Sequence, residues 1–479
     1  MADNLKSQFF SGVKWTFVQN VGLRLLTFVF TVILTRLLSP EEFGLMGMLS
    51  IFISISLVFI SSGFADALVQ KKDCTPDDYS TAFYFNVGVS VLIYLILFFT
   101  APLIAEFYHE PQLVLLTRIL SLNFVLGSLN IVQRAKLTKA LNFKSIAIVT
   151  VIGTITSGIL GVLLAYKGFG VWALVTQTIT TTAIGVILFP FFSRWKPSKS
   201  FSVKSLKYLW NYGSKIVATA LLEVVIANIS SILIGRYYDK KQVGYYSRAQ
   251  AMAEIPNGTL FSILYSVTFP ILCECQEDPT RQLSVYKRIL FNTVLIICPI
   301  IIIIALLAKP IVLILFTEKW LPCVPILQAL ILARMFMPIG SVSNGLLRSR
   351  GNTTLIMKLF FFTGPLTLVG IIISIPFGVE AMAWATLICS VISFLIQSFV
   401  IGKFSGYSLF EQIKDWRMIG ASLLLMCIGA LVVIHFISNM WLQIITTACV
   451  GFGIYTGCCY FFRLIDADFV KLLKTRLKK

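Results

Sequence analysis

Val13 to Leu34, VKWTFVQNVGLRLLTFVFTVIL, is the stretch that decides the fold. Crossing the hydrocarbon of a bilayer takes about 20 mostly apolar residues, wound as a helix so that every backbone N–H and C=O finds a partner inside the segment. This stretch is too long for a signal-peptide core and no small-residue cleavage site follows it, so it is expected to stay as a membrane anchor. The chain around it has the same character. Of its 479 residues 57% are hydrophobic and 13% charged, with a mean hydropathy of +0.87; soluble domains carry roughly 25% charged residues. Apolar segments recur from residues 12–37 to residues 440–462, and their spacing predicts an all-α polytopic membrane protein of about 14 transmembrane helices.

A formal net charge of +19 would point to nucleic acid in a soluble chain. Its placement points instead to the membrane. With the N-terminus inside, 28 Lys and Arg fall on cytoplasmic loops and 8 on outer loops, as the positive-inside rule requires of a protein with both termini cytoplasmic. One outer loop disagrees, with Arg236, Lys240, Lys241 and Arg248. The ten cysteines lie mostly in apolar segments, and neither Cys273/Cys275 nor Cys458/Cys459 has zinc-site spacing, so they read as packing residues, with no metal or cofactor expected. No phosphate-binding glycine loop is present, so any transport must draw on an ion gradient, proton or sodium, on the membrane potential or on a substrate gradient.

The chain also repeats itself. Gly12, Lys14, Arg36 and Gly44 recur as Gly213, Lys215, Arg236 and Gly244; Ala101-Pro102 matches Lys309-Pro310, Gly127-Ser128 matches Gly340-Ser341, and Phe169-Gly170-Val171 matches Phe377-Gly378-Val379. Two six-helix lobes in the same orientation follow, residues 1–205 and 206–402, related by a parallel repeat. Residues 403–479 hold a linker, two extra C-terminal helices without repeat partners, and a basic tail. At the turn between the first two spans, Ser39-Pro40-Glu41-Glu42 has the form of a capping box, and Asp239/Gln242 offers a similar start to the eighth.

The motifs Gly12-Val13-Lys14-Trp15, Leu34-Thr35-Arg36-Leu37-Leu38-Ser39-Pro40-Glu41-Glu42-Phe43-Gly44-Leu45, Gly170-Val171-Trp172-Ala173 and Val243-Gly244-Tyr245-Tyr246-Ser247-Arg248-Ala249 resemble those of the polysaccharide transporters, the Wzx-type flippases of the multidrug/oligosaccharidyl-lipid/polysaccharide superfamily. The resemblance runs from about residue 5 to 465. It implies a transporter, not an enzyme, that carries an undecaprenyl-pyrophosphate-linked oligosaccharide from the cytoplasmic to the periplasmic leaflet of the inner membrane by alternating access. The product would serve capsule, exopolysaccharide or O-antigen synthesis. The implied partners are the lipid-linked oligosaccharide, membrane lipids, and polysaccharide polymerase and other assembly proteins, with no nucleic acid. Two alternatives stand beside it: a small-molecule exporter of the same superfamily, which would favour acidic cavity residues, and a membrane-embedded sugar polymerase or ligase, which would need a sizeable outer loop.

Charges in mid-helix are costly and usually face water or a partner. Arg24, Glu223 and Arg334 are such charges and are the first candidates for the substrate or ion pathway, because guanidinium groups bind phosphate in bidentate fashion. Arg24 and Glu223 could instead pair with each other across helices, and Glu223 could take up a proton during the cycle. Lys215 is either a pathway residue or snorkels to the headgroups. Arg118 and Glu254 are weaker candidates, with interfacial anchoring as the alternative. Asn20, Asn123, Asn130, Asn228 and Asn344 could bind sugar or hydrogen-bond neighbouring helices.

Overall fold

The computed structural model describes residues 22–61, 64–71 and 73–464. Among them no residue is in a strand, and helices follow one another with short turns. Helix α1 covers residues 22–37. It is followed by α2 (Pro40–Ser61), α3 (Phe64–Gln70), α4 (Pro76–Tyr108), α5 (Gln112–Lys139), α6 (Phe143–Tyr166), α7 (Val171–Ser193), α8 (Val203–Tyr237) and α9 (Lys240–Glu274). Then come α10 (Pro279–Leu306), α11 (Ala308–Leu315), α12 (Cys323–Arg334), α13 (Phe336–Ser349), α14 (Thr353–Ser374), α15 (Val379–Ser405), α16 (Leu409–Phe436) and α17 (Met440–Phe461).

Eleven helical spans among the described residues are long and apolar enough to cross a membrane. Three further predicted segments correspond to α1, α8 and α9, which are helical and have parts outside the described side chains. Two predicted segments are interrupted within the described residues: the ninth is α10 and α11, and the tenth α12 and α13. Proline explains both breaks. Pro310 and Pro338 have no N–H to donate to the carbonyls of Leu306 and Arg334, and those are the residues at which α10 and α12 end.

Polar caps start the spans. Ser39 N donates to Glu42 Oε2 at 2.6 Å and Glu42 N to Ser39 Oγ at 3.4 Å, so the expected capping box forms before α2. Thr75 and Asp78 build another on α4, with Pro76 in the first turn. Each such cap contributes about 0.5–2 kcal/mol. The repeat is visible in these caps. Asn142 and Asn352 cap α6 and α14 with nearly identical backbone angles, each accepting from the N–H three residues on, and Gly170 and Gly378, both with positive φ, immediately precede α7 and α15.

By internal packing the chain divides into Met1–Gly244 and Tyr245–Lys479. The expected division at 205/206 lies earlier in the chain; α8 packs on α2 and α4 and so falls within the first unit. Within the first unit a stripe of small residues on α6, Gly153, Ser157 and Gly161, lets α7 approach closely: a Cβ on Gly153 would lie 3.3 Å from Thr181 O, and Thr181 Oγ1 donates to Ser157 Oγ at 2.7 Å. Lipid offers helices no hydrophobic drive to associate, so such close backbones and hydrogen bonds hold them. Within the second unit α16 and α17 pack on α10, where Ile303, Met426, Tyr455 and Cys459 are buried together and Tyr455 Oη donates to Leu295 O at 2.7 Å.

Candidate functional site

In the second unit Arg334 ends α12 and meets Glu254 of α9. Arg334 Nε stands 3.3 Å from Glu254 Oε2, with the two side chains 28% and 51% exposed. Arg334 Nη1 also contacts Met337 Sδ at 3.1 Å. The pair sits roughly 17 Å along α12 from its first residue, at the rise of an ordinary helix. Two prolines flank it: Pro338 breaks the helix after Arg334, and Pro256 lies two residues past Glu254 inside α9. A charged pair on apolar helices is costly in lipid unless it meets water, a partner or a ligand.

The other predicted residues are placed as follows. Arg24 on α1 and Glu223 on α8 are both exposed. Among the described residues Glu223 has no ion-pair partner, so the structure does not bring it together with Arg24. The side chain of Lys215, and all of Asn20, lie outside the described residues. Arg118 is half-buried and donates from Nε to Phe98 O at 3.3 Å, its guanidinium 4.4 Å from the Phe98 ring centre. Pro102, four residues on, cannot donate to that carbonyl, so Arg118 takes the place of the missing backbone donor. Asn228 donates to Val224 O and accepts from Ser50 Oγ at 3.2 Å, joining α8 to α2. Asn130 Nδ2 donates to Thr182 O, and Asn344 accepts from Gln397 Nε2. These amides hold helices together. Asn123 is buried, and its Oδ1 has no hydrogen-bond partner.

At one end of the first unit lies a cluster that the sequence flagged only as a charge anomaly. Lys240 Nζ is 3.0 Å from Glu110 Oε2, Lys241 Nζ is 3.7 Å from Glu41 Oε1, and Arg236 Nη1 donates to Phe107 O at 2.8 Å. The turns before α2, α5, α7 and α9 therefore share one end, around a cavity of about 480 Å³ lined by Glu41, Glu42, Gln112, Trp172 and Lys240. Beneath the cluster, Gly44 and Gly244 pack on each other's turns. A Cβ on Gly44 would lie 1.7 Å from Lys240 O, and one on Gly244 1.9 Å from Pro40 O. Among the described residues no cluster of three metal-ligating side chains occurs.

The sequence from residue 33 to 325 matches the family of polysaccharide biosynthesis proteins. The chain belongs to that family. Its similarity to relatives extends over nearly the whole length: it is 24% identical over 473 residues to the teichuronic acid biosynthesis protein TuaB of Bacillus subtilis (strain 168), covering 97% of this chain and 96% of TuaB. It is 25% identical over 454 residues to the succinoglycan biosynthesis transport protein ExoT of Rhizobium meliloti (strain 1021), covering 93% and 91%. Among solved structures, the lipid II flippase MurJ in an inward closed conformation superimposes with a TM-score of 0.75 at 18% identity, over 94% of this chain and 99% of MurJ. This polysaccharide biosynthesis protein thus has a MurJ-like helical membrane fold.

Proposed function

We propose that this protein moves a diphosphate-linked oligosaccharide, with undecaprenol as its lipid, from the cytoplasmic to the outer leaflet of the inner membrane by alternating access. The similarity to ExoT, a biosynthesis transport protein matched over nine-tenths of both chains, carries the reading. Its chemical support is the accessible guanidinium of Arg334, which suits a ligand with phosphate oxygens. An exporter of small cations would favour acidic groups without a cationic neighbour, whereas the acid at this position, Glu254, faces Arg334. An ion gradient drives the cycle in this reading, with Glu223 as the group that exchanges a proton; the polymerase that consumes the product lies downstream.

Reconstitution tests it. Proteoliposomes loaded with a fluorescent undecaprenyl-diphosphate oligosaccharide should make the probe accessible to a quencher on the opposite face, faster with an imposed pH gradient than without. Glu223→Gln should translocate at a rate that the gradient no longer changes. Protein-free rates in the wild type would overturn the function, and full gradient dependence in Glu223→Gln would overturn the role of that residue.

A further inference from the structure

We infer that Glu254 is a tethered competitor for Arg334, and that it sets the affinity an anionic lipid must exceed to occupy the site: diphosphates exceed it and displace the carboxylate, and ordinary phosphodiester lipids do not. The inference rests on the substrate class proposed above and names the residue that sets its threshold.

The geometry supplies the competition. Glu254 Oε2 lies 3.3 Å from Arg334 Nε, so the guanidinium already holds one carboxylate. That carboxylate is delivered by α9 at no cost in translational freedom, and a tethered group acts at an effective concentration of about millimolar or above. A phosphodiester headgroup brings a single negative charge. Replacing Glu254 by such a group leaves the charge at Arg334 unchanged while releasing a neighbour that cost nothing to hold, so the exchange is unfavourable. A diphosphate brings more than one charge and several oxygens to a planar fork of donors, and the exchange gains both Coulombic attraction and a second hydrogen bond.

The surroundings permit the exchange. Both side chains are partly exposed, at 51% and 28%, so a headgroup can reach them and the carboxylate can leave without being stranded in hydrocarbon. Pro256 and Pro338 interrupt hydrogen bonding on the two helices that carry the pair, which loosens each helix where the partners must part. The discrimination matters physically because bilayer phosphodiesters vastly outnumber any carrier lipid, and rejecting them takes a repulsive or competing element as well as an attractive one.

The test uses the purified full-length chain in neutral detergent, with farnesyl diphosphate and a short-chain phosphatidylglycerol as probes and binding read by thermophoresis. Wild type should prefer the diphosphate by about tenfold or more, since an added hydrogen bond to a charged group is commonly worth at least that. In Glu254→Gln both probes should bind about tenfold tighter, because both displace the same tethered carboxylate, and phosphatidylglycerol should bind at concentrations that leave wild type unoccupied. Glu254→Ala should do the same, which keeps the test valid if one variant fails to fold. Glu254→Asp should keep both wild-type affinities, and Arg334→Ala should lose diphosphate binding whether or not Glu254 is also replaced. Unchanged affinities in both the Gln and Ala variants, or wild-type diphosphate affinity in Arg334→Ala, overturn the inference. Translocation with unchanged affinities sinks this inference alone; tightened binding in a chain that translocates no sugar sinks the function alone.

Discussion

Gly44 and Gly244 show how a residue can be legible in pattern and illegible in cause. Their spacing marked the repeat, but nothing local requires glycine at either position. The requirement arises because two turns 200 residues apart pack backbone to backbone, each glycine against the carbonyl of the other turn's first helical residue, Lys240 O or Pro40 O. A methyl group there has no flexible side chain to push aside, so the turns must separate. Gly44→Ala or Gly244→Ala should therefore cost about 2–3 kcal/mol or more, as overpacking against backbone does. Thermal unfolding in detergent should show a lowered midpoint for each, whereas Gly420→Ala, inside α16 with no atom within 4 Å of the new methyl, should hold or raise it. Equal midpoints for all three would refute the account. Arg118 follows the same logic: its charge was visible in the sequence, but its partner is the Phe98 carbonyl that Pro102 cannot serve.

At the scale of elements, the caps and the apolar runs were readable because both are local, set by a Ser, Thr, Asn or Asp and the few residues after it. The breaks were not fully readable. Pro299 lies inside a continuous α10 and Pro102 inside a continuous α4, while Pro310 and Pro338 coincide with interruptions. A proline removes one hydrogen bond everywhere, and packing decides whether the helix closes over the gap. Arg334 and Glu254 were singled out separately, but their pairing depends on how α9 and α12 fold together and carries no signal in spacing. The break at Pro338 gives a test. Pro338→Ala restores a donor for Arg334 O and should straighten α12 into α13. Thermal stability should hold or rise by up to about 1 kcal/mol, in line with a regained backbone hydrogen bond, while translocation falls several-fold because Arg334 is no longer at a helix end. Unimpaired translocation in a variant of equal or greater stability would show that the break has no part in transport.

For the molecule as a whole, the orientation in the membrane turns on the one loop whose charges opposed the positive-inside count. The structure shows what three of those four charges do. Lys240 and Lys241 are held by Glu110 and Glu41, and Arg236 by the Phe107 carbonyl, so they act as ties between helix ends. The opposite end of the same unit gathers the loops of the strongly basic side: Ser80 Oγ meets Ser198 Oγ at 2.8 Å, Ser202 N donates to Thr81 Oγ1, and Lys139 Nζ reaches Leu68 O. Lys136, Lys144, Arg194, Lys196, Lys199, Lys204 and Lys207 stand on or beside those loops. Orientation follows the Lys and Arg excess summed over the short loops, 28 against 8, which one dissenting loop does not reverse. The 194–207 loop is therefore expected on the cytoplasmic side. Ser198→Cys should react with a membrane-impermeant maleimide in inside-out vesicles and stay unlabelled in intact cells, both read against the parent chain, while Lys167→Cys, on the turn before α7, should do the opposite. Replacing Lys240 and Lys241 together by Ala should leave both patterns as they were and lower the thermal midpoint, because the ties are lost and the topological signal is not. Labelling of Ser198→Cys in intact cells would reverse the orientation, and with it the direction in which the proposed cycle carries its lipid.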